Sequence, residues 1–195
     1  MASFDQLVIS FLVDEVAGGF FADVPPGHVA TVYDRGRGVL NQTWGPGLHF
    51  KLPFWQKAKV FNAQTLEYTI REGFNAELNK EVLGDDPISA VTLDGVNIQV
   101  RGTILVRINK ENVVSLWENI GENFVSKIVR PVSRSRIRGV ISQVTFNQIN
   151  THRHDIEAKM REMLEADFSV KGLIVENVLL SDVTQSANVT NTTTQ

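Results

Sequence analysis

The chain contains no cysteine, which excludes disulfide bonds and thiol chemistry and is compatible with a reducing compartment. It has no apolar run of the ~18 or more residues that a membrane-spanning helix needs. The nearest run, Leu7–Val13, is followed at once by Asp14 and Glu15 and lacks the cationic leader of a secretory signal. Excess charge is small: 19 Lys and Arg against 22 Asp and Glu leave a net charge of −3, so long-range attraction to nucleic acid is not expected. Also missing are metal-ligand spacing, a phosphate-binding loop and a nucleophile–base arrangement. The one close histidine pair, His152 and His154, diverges on a helix and reads as surface. Asp85, Asp86 and Asp94 lie beside turns, where capping accounts for them. Three Asn-X-Thr sequons, beginning at Asn41, Asn188 and Asn191, matter only on export, which no other feature supports. These gaps point away from an enzyme, with a hydrolase as the weakest alternative, and toward a scaffold or interaction domain without a cofactor or metal.

What is present suits a folded domain: 43% of residues are hydrophobic and 21% charged. A chain of 195 residues can bury one good core, with room for division into two subdomains. Residues 15–27, with Gly18, Gly19, Pro25 and Pro26, read as a connection. Val29–Tyr33 is a strand, Asp34–Gly38 a charged turn, Trp44–Gly47 a second turn, and Leu48–Leu52 an alternating segment. Strand pattern continues at Lys59–Ala63 and Leu66–Ile70. Residues 71–87 read as a loop with one helical turn. Ile88–Leu93 and Val96–Ile108 form a hairpin turned at Asp94-Gly95, with Gly102 marking a bulge or a close backbone approach.

The period then changes. Val113, Trp117, Ile120, Phe124 and Ile128 predict one amphipathic helix over about 111–129. Pro131 starts the next helix, which carries Ile137, Val140, Ile141 and Val144. Thr151 reads as the N-cap of a third helix, ended by Gly172. Leu173–Leu180 is a closing strand, and the polar tail is low in complexity. Sheet first, helices next and one late strand make an α+β domain with an antiparallel or mixed sheet. The expected organisation is an apolar or amphipathic segment 1–23, a domain 24–184 and a flexible tail 185–195.

The order of these turns resembles the SPFH (band 7) superfamily of stomatins, prohibitins, flotillins and HflK/HflC, and within it the prohibitins most. The pieces that carry the resemblance are Pro25-Pro26-Gly27, Tyr33–Val39 (YDRGRGV), Gly45–Pro53 (GPGLHFKLP), Thr92–Val96 (TLDGV), Ile120–Phe124 (IGENF) and Ile174–Val178 (IVENV). The resemblance implies a non-enzymatic scaffold that oligomerises with itself or a paralogue. It further implies membrane association, organisation of membrane proteins, and regulation of a membrane protease of the FtsH type. The alternative is a soluble adaptor that modulates a protease without forming an array. No heptad pattern precedes Gln195, so either the sequence is part of a longer chain or its assembly is not expected to use a coiled coil.

Two sets of residues are the candidates for such roles. Lateral contacts are expected from the charged turn, with Asp34, Arg35 and Arg37, and from a helical stripe of Lys127, Arg130, Arg134 and Arg138; a solvated or salt-bridged face is the plainer account of that stripe. Membrane contacts are expected from Phe4, Leu7, Val8, Phe11 and Leu12, which share one helical face, and from Trp44, Phe54 and Trp55 with their neighbours Leu48 and Phe50. Both membrane groups have core readings as well: the N-terminal segment as an element packed on the domain, the aromatics as interior. The expected location is membrane-associated, peripheral or anchored by residues 1–23, and cytoplasmic if that segment is not an anchor.

Overall fold

The computed structural model describes residues 19–72 and 82–185. The N-terminal candidates Phe4, Leu7, Val8, Phe11 and Leu12 and the tail from residue 186 lie outside the described residues. The chain divides into two compact units, one comprising residues up to 64 together with 108–122, the other 65–107 together with residues from 123 on.

The first unit is built on β2 (His28–Asp34), flanked in antiparallel fashion by β3 (Gly38–Trp44) and β5 (Gln56–Asn62). Entry to β2 is set by the Pro25–His28 turn. Gly27 takes φ 79° at its third position and the His28 amide donates to the Pro25 carbonyl at 3.1 Å. That is the positive-φ position that favours glycine, after a proline that pre-sets the position before it. The β2–β3 register shifts between Thr31 and Tyr33, so β3 bulges there. Val29, Ala30, Val32 and Phe61 are buried with Val113 and Leu116 of helix α1 (Val113–Asn119), and Trp117 meets the Phe61 ring edge-on at 6.3 Å. A separate two-stranded ladder pairs β1 (Phe21–Val24) with β4 (Gly47–Phe50). Residues 21–24 are thus a strand rather than part of a connection. Alternating burial of Ala22 and Val24 gives β1 an inner face that the Gly and Pro around it obscure in the sequence.

The second unit carries a five-stranded sheet ordered β10-β9-β6-β7, with β8 paired to β9. Its strands are β6 (Leu66–Ile70), β7 (Val82–Asp85), β8 (Ile88–Val91), β9 (Asn97–Ile108) and β10 (Leu173–Gln185). β9 buries every second residue from Ile98 to Ile108 and is antiparallel to β6 and β8, whereas β7 runs parallel to β6. The mixed α+β architecture matches the expectation. β7 does not, because residues 82–85 were read as loop: four residues paired in parallel are too short to show a period. Across β9 and β10, Arg101 meets Asp182 and Arg107 meets Glu176, each at 2.9 Å. Gly102 fulfils the expectation of close approach, since a Cβ there would stand 2.4 Å from the Leu179 carbonyl oxygen.

The helices differ from the sequence reading in two places. The helix expected over 111–129 ends at Asn119, where Gly121 takes φ 85° and its amide reaches back to Leu116. The chain resumes as a π-helical turn, Val125–Val129, that leads into α2 (Arg130–Ile141). Pro131 explains the wide turn: it donates no hydrogen bond and its ring crowds the carbonyl four residues back, and the Arg130 amide bonds Val125, five back. The second difference is the cap. Thr145, not Thr151, caps a helix, forming a reciprocal capping box with Gln148 at the start of α3 (Phe146–Thr151). Thr151 instead donates its hydroxyl to the Asn147 carbonyl. α4 (Arg153–Ser169) buries Ile156, Met160, Leu164 and Phe168 along one stripe, and Gly172 at φ 76° turns the chain into β10.

Candidate functional site

The β1–β4 ladder and the loop after it present an unusual surface. Strand alternation turns Phe21, Leu48 and Phe50 outward, all exposed, and Leu52, Phe54 and Trp55 follow in the loop. Phe21 and Phe50 are register partners whose rings meet edge-on at 6.0 Å, and Phe20 stacks on Phe50 at the same distance. Phe54 is 85% exposed and Trp55 60% exposed. The loop that carries them is tight: the Trp55 amide donates to the Pro53 carbonyl at 2.8 Å, the Gln56 amide to Leu52 at 2.9 Å, and the Gln56 side chain accepts from the Leu52 amide. Phe54 is the one described non-glycine residue at positive φ, 67°, a conformation that bulky side chains avoid. The backbone thus holds an aromatic ring in solvent at some conformational cost.

Among the sequence-derived membrane candidates, Phe54 and Trp55 lie in this surface. Trp44 is half-buried and stacks on His49 with ring centroids 5.0 Å apart, the imidazole Nε2 lying 2.7 Å from the Gly45 carbonyl oxygen. Phe21 and Leu52 were missed. The alternation of Phe21 and Asp23 against Ala22 and Val24 was the available signal for Phe21.

The charged candidates fall in two places. Asp34 is buried at the mouth of the β2–β3 turn, where its carboxylate accepts from the amides of Gly36 and Arg37, from the Arg37 guanidinium and from the Gln56 side chain, at 3.0–3.2 Å. The bond from Arg37 leads these in holding the Asp34 carboxyl at about 2, below the usual carboxylate range. Arg35 and Arg37 are exposed.

In the second unit, Arg130 grips Asp85 through Nε and Nη2 at 2.6 and 3.0 Å. Arg134 reaches Asp85 at 3.1 Å and the Asp86 carbonyl at 2.9 Å, and Arg138 donates to the Ser89 carbonyl at 3.0 Å. Burial pushes the Asp85 carboxyl upward, but the bonds from Arg130 and the Asp86 amide and the nearby guanidinium charges outweigh it and hold it low. Tyr68, whose hydroxyl donates to Asp85, is pushed up to about 12 by burial and by that carboxylate. The stripe therefore ties α2 to strands β7 and β8 of its own unit. Lys127 stands exposed on the π turn.

His152 and His154 are exposed, and among the described residues no group of three or more His, Asp or Glu is placed to hold a metal ion. No described helix is long and apolar enough to cross a membrane.

The sequence model of the SPFH domain / Band 7 family matches residues 22–195. The chain belongs to this family. Curated relatives of the SPFH chain include prohibitins. Prohibitin 1 of Gallus gallus is 24% identical over 173 residues, covering 87% of this chain and 58% of the relative. Prohibitin-3, mitochondrial, of Arabidopsis thaliana is 23% identical over 158 residues, covering 81% of this chain and 51% of the relative. Mitochondrial prohibitin complex protein 1 of Caenorhabditis elegans is 22% identical over 170 residues, covering 85% and 56%. The SPFH chain thus spans a little over half the length of these relatives. Several of the motifs that carried the resemblance, YDRGRGV and TLDGV among them, prove to be turns pinned by buried or bonded side chains.

Proposed function

We propose that this SPFH domain is a membrane-associated scaffold that self-associates, alone or with a paralogue, and organises or regulates membrane proteins, a membrane protease among them. One observation carries the membrane part: six apolar side chains, Phe21, Leu48, Phe50, Leu52, Phe54 and Trp55, stand exposed in the β1–β4 ladder and its following loop. Isolated exposed apolar residues are ordinary, but a concentrated aromatic set marks an interaction surface. Phe and Trp suit the headgroup boundary of a bilayer, where an apolar ring sits beside polar groups. Two of these relatives are named as mitochondrial proteins and one is named for a prohibitin complex, which supports the reading.

Flotation with phosphatidylcholine vesicles tests it. The full chain is expected to float, and Phe54→Ser combined with Trp55→Ser is expected to lower the bound fraction about tenfold or more, since each buried aromatic is worth roughly 1.5–3 kcal/mol. A wild-type chain that stays with the soluble fraction sinks the membrane reading and leaves the adaptor.

A further inference from the structure

We propose that neighbouring copies of this chain join head to tail through the second unit, the β8–β9 turn of one copy entering the groove between α2 and α4 of the next. This rests on the self-association proposed above and names the contact.

The groove is an open depression of about 450 Å³ where the start of α2 meets the end of α4. Its apolar lining comes from Ile128, Pro131, Val132 and Val170, and Val170 is 77% exposed although it closes a helix whose other apolar residues are mostly buried. Arg136 and Lys171 also line it with one carboxylate, Asp167, which Arg136 holds at 2.5 and 2.9 Å. The lining is therefore net positive.

The β8–β9 turn carries exposed apolar side chains beside a charge opposite to that of the groove. Val91 and Leu93 are 51% and 65% exposed, and Asp94 follows them. The turn is pre-organised. The Leu93 amide donates to the Val144 carbonyl at 2.9 Å, Asp94 accepts from the Thr92 hydroxyl and the Phe146 amide, and the Val96 amide donates to the Thr92 hydroxyl. An apolar knob already held in place loses little freedom on docking.

Position makes the contact directional. The turn is anchored three residues past the C-terminal end of α2, while the groove lies at its N-terminal end. Twelve residues of α2 place the two about 18 Å apart along the helix. A knob and a hole on different patches of one molecule give a heterologous contact, which repeats into a ring or a filament rather than stopping at a dimer. One such contact is small, and many copies on one surface multiply it.

Leu93→Arg removes the knob and Val170→Arg blocks the hole, both at exposed positions. Mass photometry of the full chain, free and on phosphatidylcholine vesicles, is expected to show each variant assembling only at about tenfold higher concentration than wild type, with an unchanged melting temperature. An equimolar mixture retains one good contact per pair, so it is expected to give a discrete two-copy species and nothing larger. Variants that assemble like wild type overturn this contact and leave the scaffold standing. A mixture that restores large assemblies overturns the head-to-tail geometry. Wild type that stays monomeric in both settings overturns the scaffold and this contact together. Should Leu93→Arg not fold, Leu93→Ser removes the apolar knob with the same expectations.

Discussion

Gly102 shows how one missing side chain sets a packing distance. β10 passes so close that any Cβ would sit 2.4 Å from the Leu179 carbonyl oxygen, against backbone that has no free rotation to yield. Gly102→Ala is expected to destabilise the fold by about 1–3 kcal/mol, read by denaturant midpoint; an unchanged midpoint would mean that β10 lies farther away. Asp34 makes a different single-residue prediction. Its folded value of about 2 lies below the model-peptide value of 3.8, so its contribution to stability is fully present above that value and is lost as pH falls toward 2. Asp34→Asn is expected to flatten the pH dependence of the melting temperature in that window while lowering stability at neutral pH. Gly102 was legible in the sequence as an interruption of an alternating strand. The role of Asp34 was not, because its last partner, Gln56, lies on another strand.

At the scale of elements, periodicity succeeded in long, unbroken elements that bury one face and failed in short or interrupted ones. β9 and α4 have clean repeats and were legible; β7 is four residues paired in parallel and was not. The 111–129 helix kept its apolar period across a break, so the pattern alone gave no sign of Gly121's left-handed turn. The basic stripe was correctly placed on helical turns, but its partner Asp85 sits in that unpredicted strand. Arg130 and Arg134 converge on a carboxylate that is only 10% exposed, so Asp85→Asn is expected to cost about 2 kcal/mol or more by leaving two guanidinium groups without their anion. The melting temperature checks it, and no change would make the stripe a solvated face. For the same reason, Arg134→Glu reports on the anchoring of α2 before it reports on assembly.

For the molecule as a whole, family membership was legible because it rests on the order of turns, and turns have residue requirements that survive at 22–24% identity. The exposed aromatic surface was only half legible, since a sequence does not distinguish an aromatic in a core from one in solvent. Phe54 carries a consequence of its own. A non-glycine residue at φ 67° sits about 1–2 kcal/mol above its relaxed state. Phe54→Gly is therefore expected to raise the melting temperature while weakening vesicle flotation, two readouts moving in opposite directions from one change. Selection for thermal robustness alone would erase this phenylalanine early, and the resulting protein would be sturdier but poorer at the membrane contact proposed for it.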